Sequence, residues 1–305
     1  MLASLLPYLR NIPPVSRICL GTYLCLSALV SISRLVGSPT TPTTNAPSPD
    51  RPFATDSFES YIILYPGLFL TRPWTLFLTS WVDTNLILIL ERLIVMTFVG
   101  TYLEKRWGWL EFVKFIFIVN IASTATAFLV YVMIYAGSQS IAYLYATRIH
   151  GLICLMSGFT VALKESIPEH KVSIYHRALS FRVKYLTLAY LAIVFILALL
   201  LRSYPPLTLA VAGVYASWLY LRFYKDHNGT QGDYSDAFAF ATFFPDPVQP
   251  PVALVSDWVF RFFVAIKLVK PLPAYNPYAL ESAISPQPSE PILGMESMND
   301  SERRK

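Results

Sequence analysis

The chain has 305 residues, of which 54% are hydrophobic and only 14% charged, and its mean hydropathy is +0.48. Soluble domains carry about 25% charged residues, so a water-facing surface of the usual kind is excluded. The net charge of +5 and the pI near 9.0 come without a stripe of Lys and Arg interleaved with aromatics, which argues against nucleic acid; the basic residues sit in short loops beside apolar runs.

Residues 1–17 read as a cytosolic N-terminus. The first apolar run, residues 18–36, is long enough to span a bilayer. No small-residue cleavage site follows it convincingly, so it reads as a retained signal anchor. Residues 37–52 (GSPTTPTTNAPSPDRP) have a composition that packs no core and place a flexible luminal loop over 37–60. Residues 61–81 (YIILYPGLFLTRPWTLFLTSW) are apolar but broken by Pro66 and Pro73. Such a segment is expected to lie in the interface or re-enter the membrane.

Further spans follow at 84–103, 112–135, 149–163, 185–201 and 207–224. The fourth is short and flanked by polar residues, so the others are expected to surround it. The fold class is therefore an all-α membrane protein, a six-helix bundle over residues 18–224. Basic residues cluster at Arg10 and Arg17, Lys105 and Arg106, the stretch from Lys164 to Lys184, and Arg222 and Lys225. By the positive-inside rule both termini face the cytosol. The sequons at Asn228 and Asn299 then fall on the cytosolic side and are expected to be unused.

Cys19, Cys25 and Cys154 all lie in apolar stretches and read as small buried hydrophobes rather than metal ligands or a disulfide framework. Glu91 and Arg92 stand amid Leu and Ile in the second span. Intramembrane charges are costly and mark either a structural pair or a substrate path. Adjacent residues do not face each other on a helix, so each is expected to need its own partner. A transporter would show broken helices in two matching halves, and no such symmetry is present.

Residues 225–270 form a cytosolic segment. Its first part, residues 233–245 (DYSDAFAFATFFP), carries Phe238, Phe240, Phe243 and Phe244, which either plug the bundle or bind a partner. Asp233 and Asp236 could hold a cation, though capping a helix is the commoner use. Residues 251–270 mix large apolar side chains with Arg261, Lys267 and Lys270 and read as an amphipathic surface helix. The competing reading is a seventh span, against which Asp257 and Arg261 count. Residues 271–305 are rich in Pro, Ser and Glu and read as a disordered tail. Its final Arg303-Arg304-Lys305 lacks the di-lysine spacing of a coat-binding signal.

Trp74 and Thr75, followed by Gly100, Leu103, Glu104, Arg106 and Gly108, resemble the rhomboid superfamily. That family carries Trp-Arg in its first loop and Gly-x-x-Leu-Glu-x-x-x-Gly at the end of its second helix. Ser157-Gly158 resembles the end of the rhomboid nucleophile motif, which would imply cleavage of substrate helices within the membrane. A serine needs an adjacent base. The resemblance puts a His three residues before Gly213, where this chain has Ala210. It also puts oxyanion-binding His and Asn where Leu88 and Arg92 stand, and Leu155 replaces the Gly two residues before the serine. Ser157 therefore reads as a packing residue against Gly213 and Ser217. An active serine protease using Ser157 with an unusual base is the alternative.

Residues 150–164 (HGLICLMSGFTVALK), 217–224 (SWLYLRFY) and 232–245 (GDYSDAFAFATFFP) together resemble the transmembrane protein 115 family of rhomboid-like pseudoproteases. The resemblance implies residence in Golgi membranes, with a link to the endoplasmic reticulum, and a role in retrograde Golgi-to-ER vesicle transport. It also implies contact with cytosolic tethering or coat factors. A non-catalytic scaffold that binds cargo transmembrane helices follows as the expected function, with no cofactor and with self-association left open.

Overall fold

The computed structural model describes residues 12–36, 58–167, 171–174, 179–227, 230–233, 235, 238–244 and 246–265. Asp236, Asn228, Asn299, most of the 37–60 loop and the 271–305 tail lie outside the described residues.

Helices cover all six apolar runs. Three are long and apolar enough to cross a membrane: α1 (Pro14–Val36), α2 (Leu86–Trp107) and α3 (Trp109–Ser138). The others are shorter. They are α4 (Ile153–Ser166), α5 (Leu186–Leu201) and α6 (Pro205–Leu219), which a π turn extends through Tyr220–Tyr224. The helix boundaries have local causes. Pro14 and Pro205 begin α1 and α6, where a missing backbone N–H goes unnoticed. Gly108 at φ 86° ends α2, and Gln139 and Arg202 take left-handed conformations after α3 and α5.

The Pro-broken stretch between α1 and α2 stays irregular. It runs through the 3-10 turns Phe58–Tyr61 and Pro66–Leu68 and a short helix, Thr75–Leu78. Several backbone polar groups of this stretch are hydrogen-bonded inside the protein. Ile149 N donates to the Leu64 carbonyl at 3.0 Å, and Gly151 N donates to the Thr79 carbonyl at 3.1 Å. Thr79 Oγ1 accepts from Leu64 N and donates to the Ile149 carbonyl, while Thr124 Oγ1 on α3 donates to the Leu76 carbonyl.

Beyond the helices, β1 (Lys171–Ile174) and β2 (Leu179–Arg182) pair antiparallel in the basic stretch before α5, a hairpin that the sequence reading did not anticipate. A second small ladder joins Asp226–His227 to Thr230–Gln231. The last helix described, α7 (Gln249–Ala265), overlaps the 251–270 segment and begins two residues before it. Two ends of the bundle can be distinguished, one carrying Lys164, Arg222 and Lys225 and the other carrying Glu59.

The chain reversals explain the Gly-x-x-Leu-Glu pattern. Gly100 lies in the π turn of α2, and a methyl there would reach Ser16 Oγ of α1 at 3.5 Å. One turn on, Glu104 is buried and caps the start of α1. Its Oε1 accepts from Val15 N at 3.0 Å, and its Oε2 accepts from Ser16 N at 2.7 Å and from Ser16 Oγ at 2.6 Å. A carboxylate at a helix N-terminus satisfies orphan N–H groups and meets the positive end of the dipole.

Glu59 makes a matching clamp at the other end. Its carboxylate accepts from Arg34 Nε at 2.9 Å and from Arg34 Nη2 at 2.5 Å, and Arg148 Nη1 lies 3.3 Å away. Burial opposes its charge, but the Arg34 hydrogen bonds and the Arg148 charge together hold its carboxyl below the ordinary 4.5.

Replacing Glu104 by Ala is expected to cost about 2 kcal/mol and Glu104→Gln distinctly less, as read by thermal unfolding in detergent. The Glu59 clamp gives a pH dependence. Because the folded-state pKa is depressed, its contribution is complete above pH 4.5 and is lost as pH falls through the lower folded value. Hydrogen exchange at Ile62 and Ile63, corrected for intrinsic rates, should quicken below that point, and Glu59→Gln should flatten the profile.

Candidate functional site

Ser157 and Gly158 on α4 face Gly213 and Ser217 on α6 across a very close seam. A methyl at Gly213 would overlap the Cys154 carbonyl oxygen and Ser157 Oγ, and one at Gly158 would come 3.4 Å from the Ser217 Cβ. Small residues let helix backbones approach in a membrane, where van der Waals packing drives association. Ser157 Oγ is fully buried and donates to the Cys154 carbonyl at 2.8 Å, and Ser217 Oγ donates to the Gly213 carbonyl at 2.7 Å. Ala210 is fully buried in a cluster with Ile153 and Cys154. Among the described residues no histidine hydrogen-bonds Ser157.

Of the two charges in the second span, Arg92 has the separate partner that the sequence expectation requires. Arg92 is 4% exposed, and its partner is Asp83, which forms an ion pair with its Nη1. Asp83 also accepts from the Tyr23 hydroxyl at 2.9 Å and from Leu152 N at 3.3 Å, while its own N–H donates to Ser27 Oγ at 3.1 Å. The cluster thus joins α1, α2 and the start of α4. Gly151 stands at φ 111°, and a Cβ there would lie 3.0 Å from Asp83 Oδ1, so glycine serves both backbone and packing. The buried His150 Nδ1 beside it has no hydrogen-bond partner. Glu91 is not buried with Arg92: its side chain is 44% exposed, with Oε2 3.7 Å from Arg92 Nε. Arg92 thus takes a partner other than its neighbour, as expected, and Glu91 comes only to the margin of an ion pair with it. Sequence reasoning missed Asp83. The signal was a lone acid just before an apolar span that contains an arginine.

Trp74 is half-exposed and donates from Nε1 to the Tyr61 carbonyl at 2.9 Å. Leu88, at the other oxyanion position, is 36% exposed. Neither is brought to Ser157.

At the Lys164 end the aromatic motif is docked against the bundle. Gly232 at φ 82° could not hold a Cβ, which would overlap the Arg222 carbonyl. Gly232 N donates to the Lys225 carbonyl at 2.7 Å. The buried Arg222 donates from Nη1 to the carbonyls of Asp233 (2.8 Å) and Ser235 (2.6 Å), and Trp218 Nε1 donates to the Phe238 carbonyl at 3.2 Å. Phe238 and Phe243 are 2% exposed. The Lys164 ammonium lies 3.3 Å from the Phe243 ring centre and donates to Thr242 Oγ1 at 2.9 Å. Phe240 packs on Trp218 at 5.1 Å and Phe244 on Phe240 at 5.7 Å. Of the two readings of these phenylalanines, the geometry is that of a plug.

Lys225 Nζ pairs with Glu165 Oε1 at 2.7 Å and lies 3.9 Å over the Trp107 ring. Burial pushes its ammonium pKa down, with Glu165 pulling against that. Asp233 Oδ1 accepts from Ser235 N at 2.9 Å, a turn cap rather than a cation site. Among the described residues no group of three His, Cys, Asp or Glu side chains could hold a metal.

A family model described as eukaryotic integral membrane protein (DUF1751) matches residues 17–305. Transmembrane protein 115 of Mus musculus is 35% identical over 197 residues, 64% of this chain and 55% of that protein. Rhomboid-like protein 19 of Arabidopsis thaliana is 31% identical over 207 residues, 64% of each chain. The transmembrane protein 115 homolog of Saccharomyces cerevisiae is 22% identical over 288 residues, 86% of this chain and 82% of that protein. The alignment thus spans about half the length of the mouse relative. With that match along nearly its whole length, and with three helices long and apolar enough to cross a membrane, the chain belongs to this family of eukaryotic integral membrane proteins.

Proposed function

We propose that this chain is a non-catalytic, rhomboid-like scaffold of Golgi and endoplasmic reticulum membranes. In this reading it crosses the bilayer six times with both termini cytosolic. It engages transmembrane helices of cargo and meets tethering or coat factors on the cytosolic face during retrograde transport. The relatives' names, transmembrane protein 115 and rhomboid-like protein 19, support the membrane and rhomboid-like parts of that reading. The trafficking part rests on the family resemblance of the three sequence motifs.

One observation carries the non-catalytic part. Ser157 Oγ gives its proton to the Cys154 carbonyl of its own helix, while Gly213 and Ala210 occupy the facing stretch of α6. A nucleophilic serine needs an imidazole or equivalent base at hydrogen-bond distance. Here that volume is filled by alanine and backbone.

The docked motif also shifts where recruitment would occur. Its phenylalanines are occupied with the bundle, whereas Leu254, Val255 and Trp258 of α7 are 74%, 63% and 71% exposed. Their i, i+1 and i+4 spacing lines one face with Arg261, a pattern suited to the membrane interface or to a partner helix. The short α4 fits the six-crossing reading. At 14 residues it is about 21 Å long, less than the ~30 Å hydrocarbon core, and its neighbours screen it from lipid.

A fluorophosphonate probe should label the purified protein no more strongly than it labels Ser157→Ala; labelling lost on that substitution would establish a protease. Proximity labelling from the C-terminus should capture tethering or coat factors. A chain truncated after Pro245, which retains the docked motif, should lose them. Unchanged residence and unchanged partners after truncation would remove the recruiting role.

A further inference from the structure

An apolar groove of about 530 Å³ opens along the side of the bundle between α3 and α5, floored by α6. From Leu207 to Tyr215 it follows about 12 Å of helix, so it runs parallel to the helices and across the thickness of the membrane. Phe240, Phe243 and Phe244 of the docked motif close it at the Lys164 end. Its walls are otherwise aliphatic, apart from Tyr215 and three threonines. Thr126 Oγ1 and Thr208 Oγ1 donate to carbonyls of their own helices, Ala122 and Pro205. Thr187 differs. It is 1% exposed and its Oγ1 has no hydrogen-bond partner. An unsatisfied buried hydroxyl is costly, above all where no water can reach it.

We propose that this groove holds one acyl chain of a membrane glycerophospholipid, with Thr187 Oγ1 donating to the ester carbonyl. Thr187 lies in the first turn of α5, at the edge of the apolar span, where lipid esters meet the hydrocarbon. Beyond it, as far as Leu207, the lining is apolar except for Thr126 and Thr208, whose hydroxyls are bonded within their own helices. The volume falls within the ~300–1,000 Å³ of small-molecule pockets. A partner helix is a poorer occupant, since its backbone carbonyls are already hydrogen-bonded within the helix, whereas a lipid ester carbonyl is free to accept from Thr187. The acyl chain would complete the wall against which Phe240 and Phe244 pack, so lipid occupancy and docking of the aromatic motif support each other. This inference does not depend on the scaffold reading.

The test uses the full chain in phosphatidylcholine nanodiscs containing a phosphatidylcholine with a diazirine part-way along one acyl chain, and maps the adducts by mass spectrometry. Adducts should concentrate on Leu191, Val211 and Tyr215, and excess lysophosphatidylcholine should compete. Thr187→Val, which keeps the shape and removes only an unpaired hydroxyl, should cut the yield roughly twofold to tenfold without lowering the unfolding temperature. Ala212→Phe should fill the groove and abolish specific adducts. Adducts spread evenly over outward residues such as Leu129, Met133 and Ile193 would mean bulk lipid only and would overturn the proposal. So would a yield unaffected by Thr187→Val.

Discussion

The space of a single methyl group at Gly213 governs the centre of this bundle. Because α6 has no side chain there, it lies directly on the Cys154 carbonyl and the Ser157 hydroxyl of α4. The helices approach to backbone contact, and Ser157 turns back into its own helix. The same closeness that stabilises the pair removes the room a catalytic base would occupy. Close packing and the proposed non-catalytic role thus have one cause.

Charge is handled by the same logic of internal satisfaction. A bilayer offers no water to an arginine or an aspartate, so Arg92 and Asp83 meet each other, and Tyr23, Ser27 and the Leu152 amide supply further hydrogen bonds around Asp83. That cluster fastens α1 and α2 to the start of α4 at one end. Glu104 fastens α1 to α2 at the other. Arg222 and Lys164 then tie the aromatic motif onto the α4–α6 pair. Several of these ties, Tyr23 to Asp83, Ser16 to Glu104 and Lys164 to Thr242, join residues far apart in sequence, which suits a bundle with short helices and an irregular first loop.

Much of the fold was legible because apolar length is a strong signal. Helices cover all six runs, and the stretch that holds Pro66 and Pro73 stays irregular, with 3-10 turns and one short helix. The pairing of Lys171–Ile174 with Leu179–Arg182 was missed although both strands alternate polar and apolar residues, because the basic residues of this stretch were read only as a topology signal. For the site, the spacing of Ser157, Gly158 and Gly213 foretold their contact, because small residues have few reasons to recur in a membrane helix besides close approach. Asp83 was missed because it lies outside the apolar run whose charges drew attention. Adjacency excluded Glu91 as the facing partner of Arg92, but the partner itself had to come through tertiary folding. The phenylalanines of 238–244 could be read as plug or as surface from composition alone. Only the positions of Trp218, Lys164 and Arg222 decide between the two.

The central claim is that the α4–α6 seam has no place for a base beside Ser157. Restoring the missing imidazole as Ala210→His tests it most directly, with unfolding temperature and fluorophosphonate labelling read on the same preparation. The account predicts a destabilised protein, by about 1–3 kcal/mol of overpacking, and no labelling of Ser157. A stable variant that labels at Ser157 would contradict it.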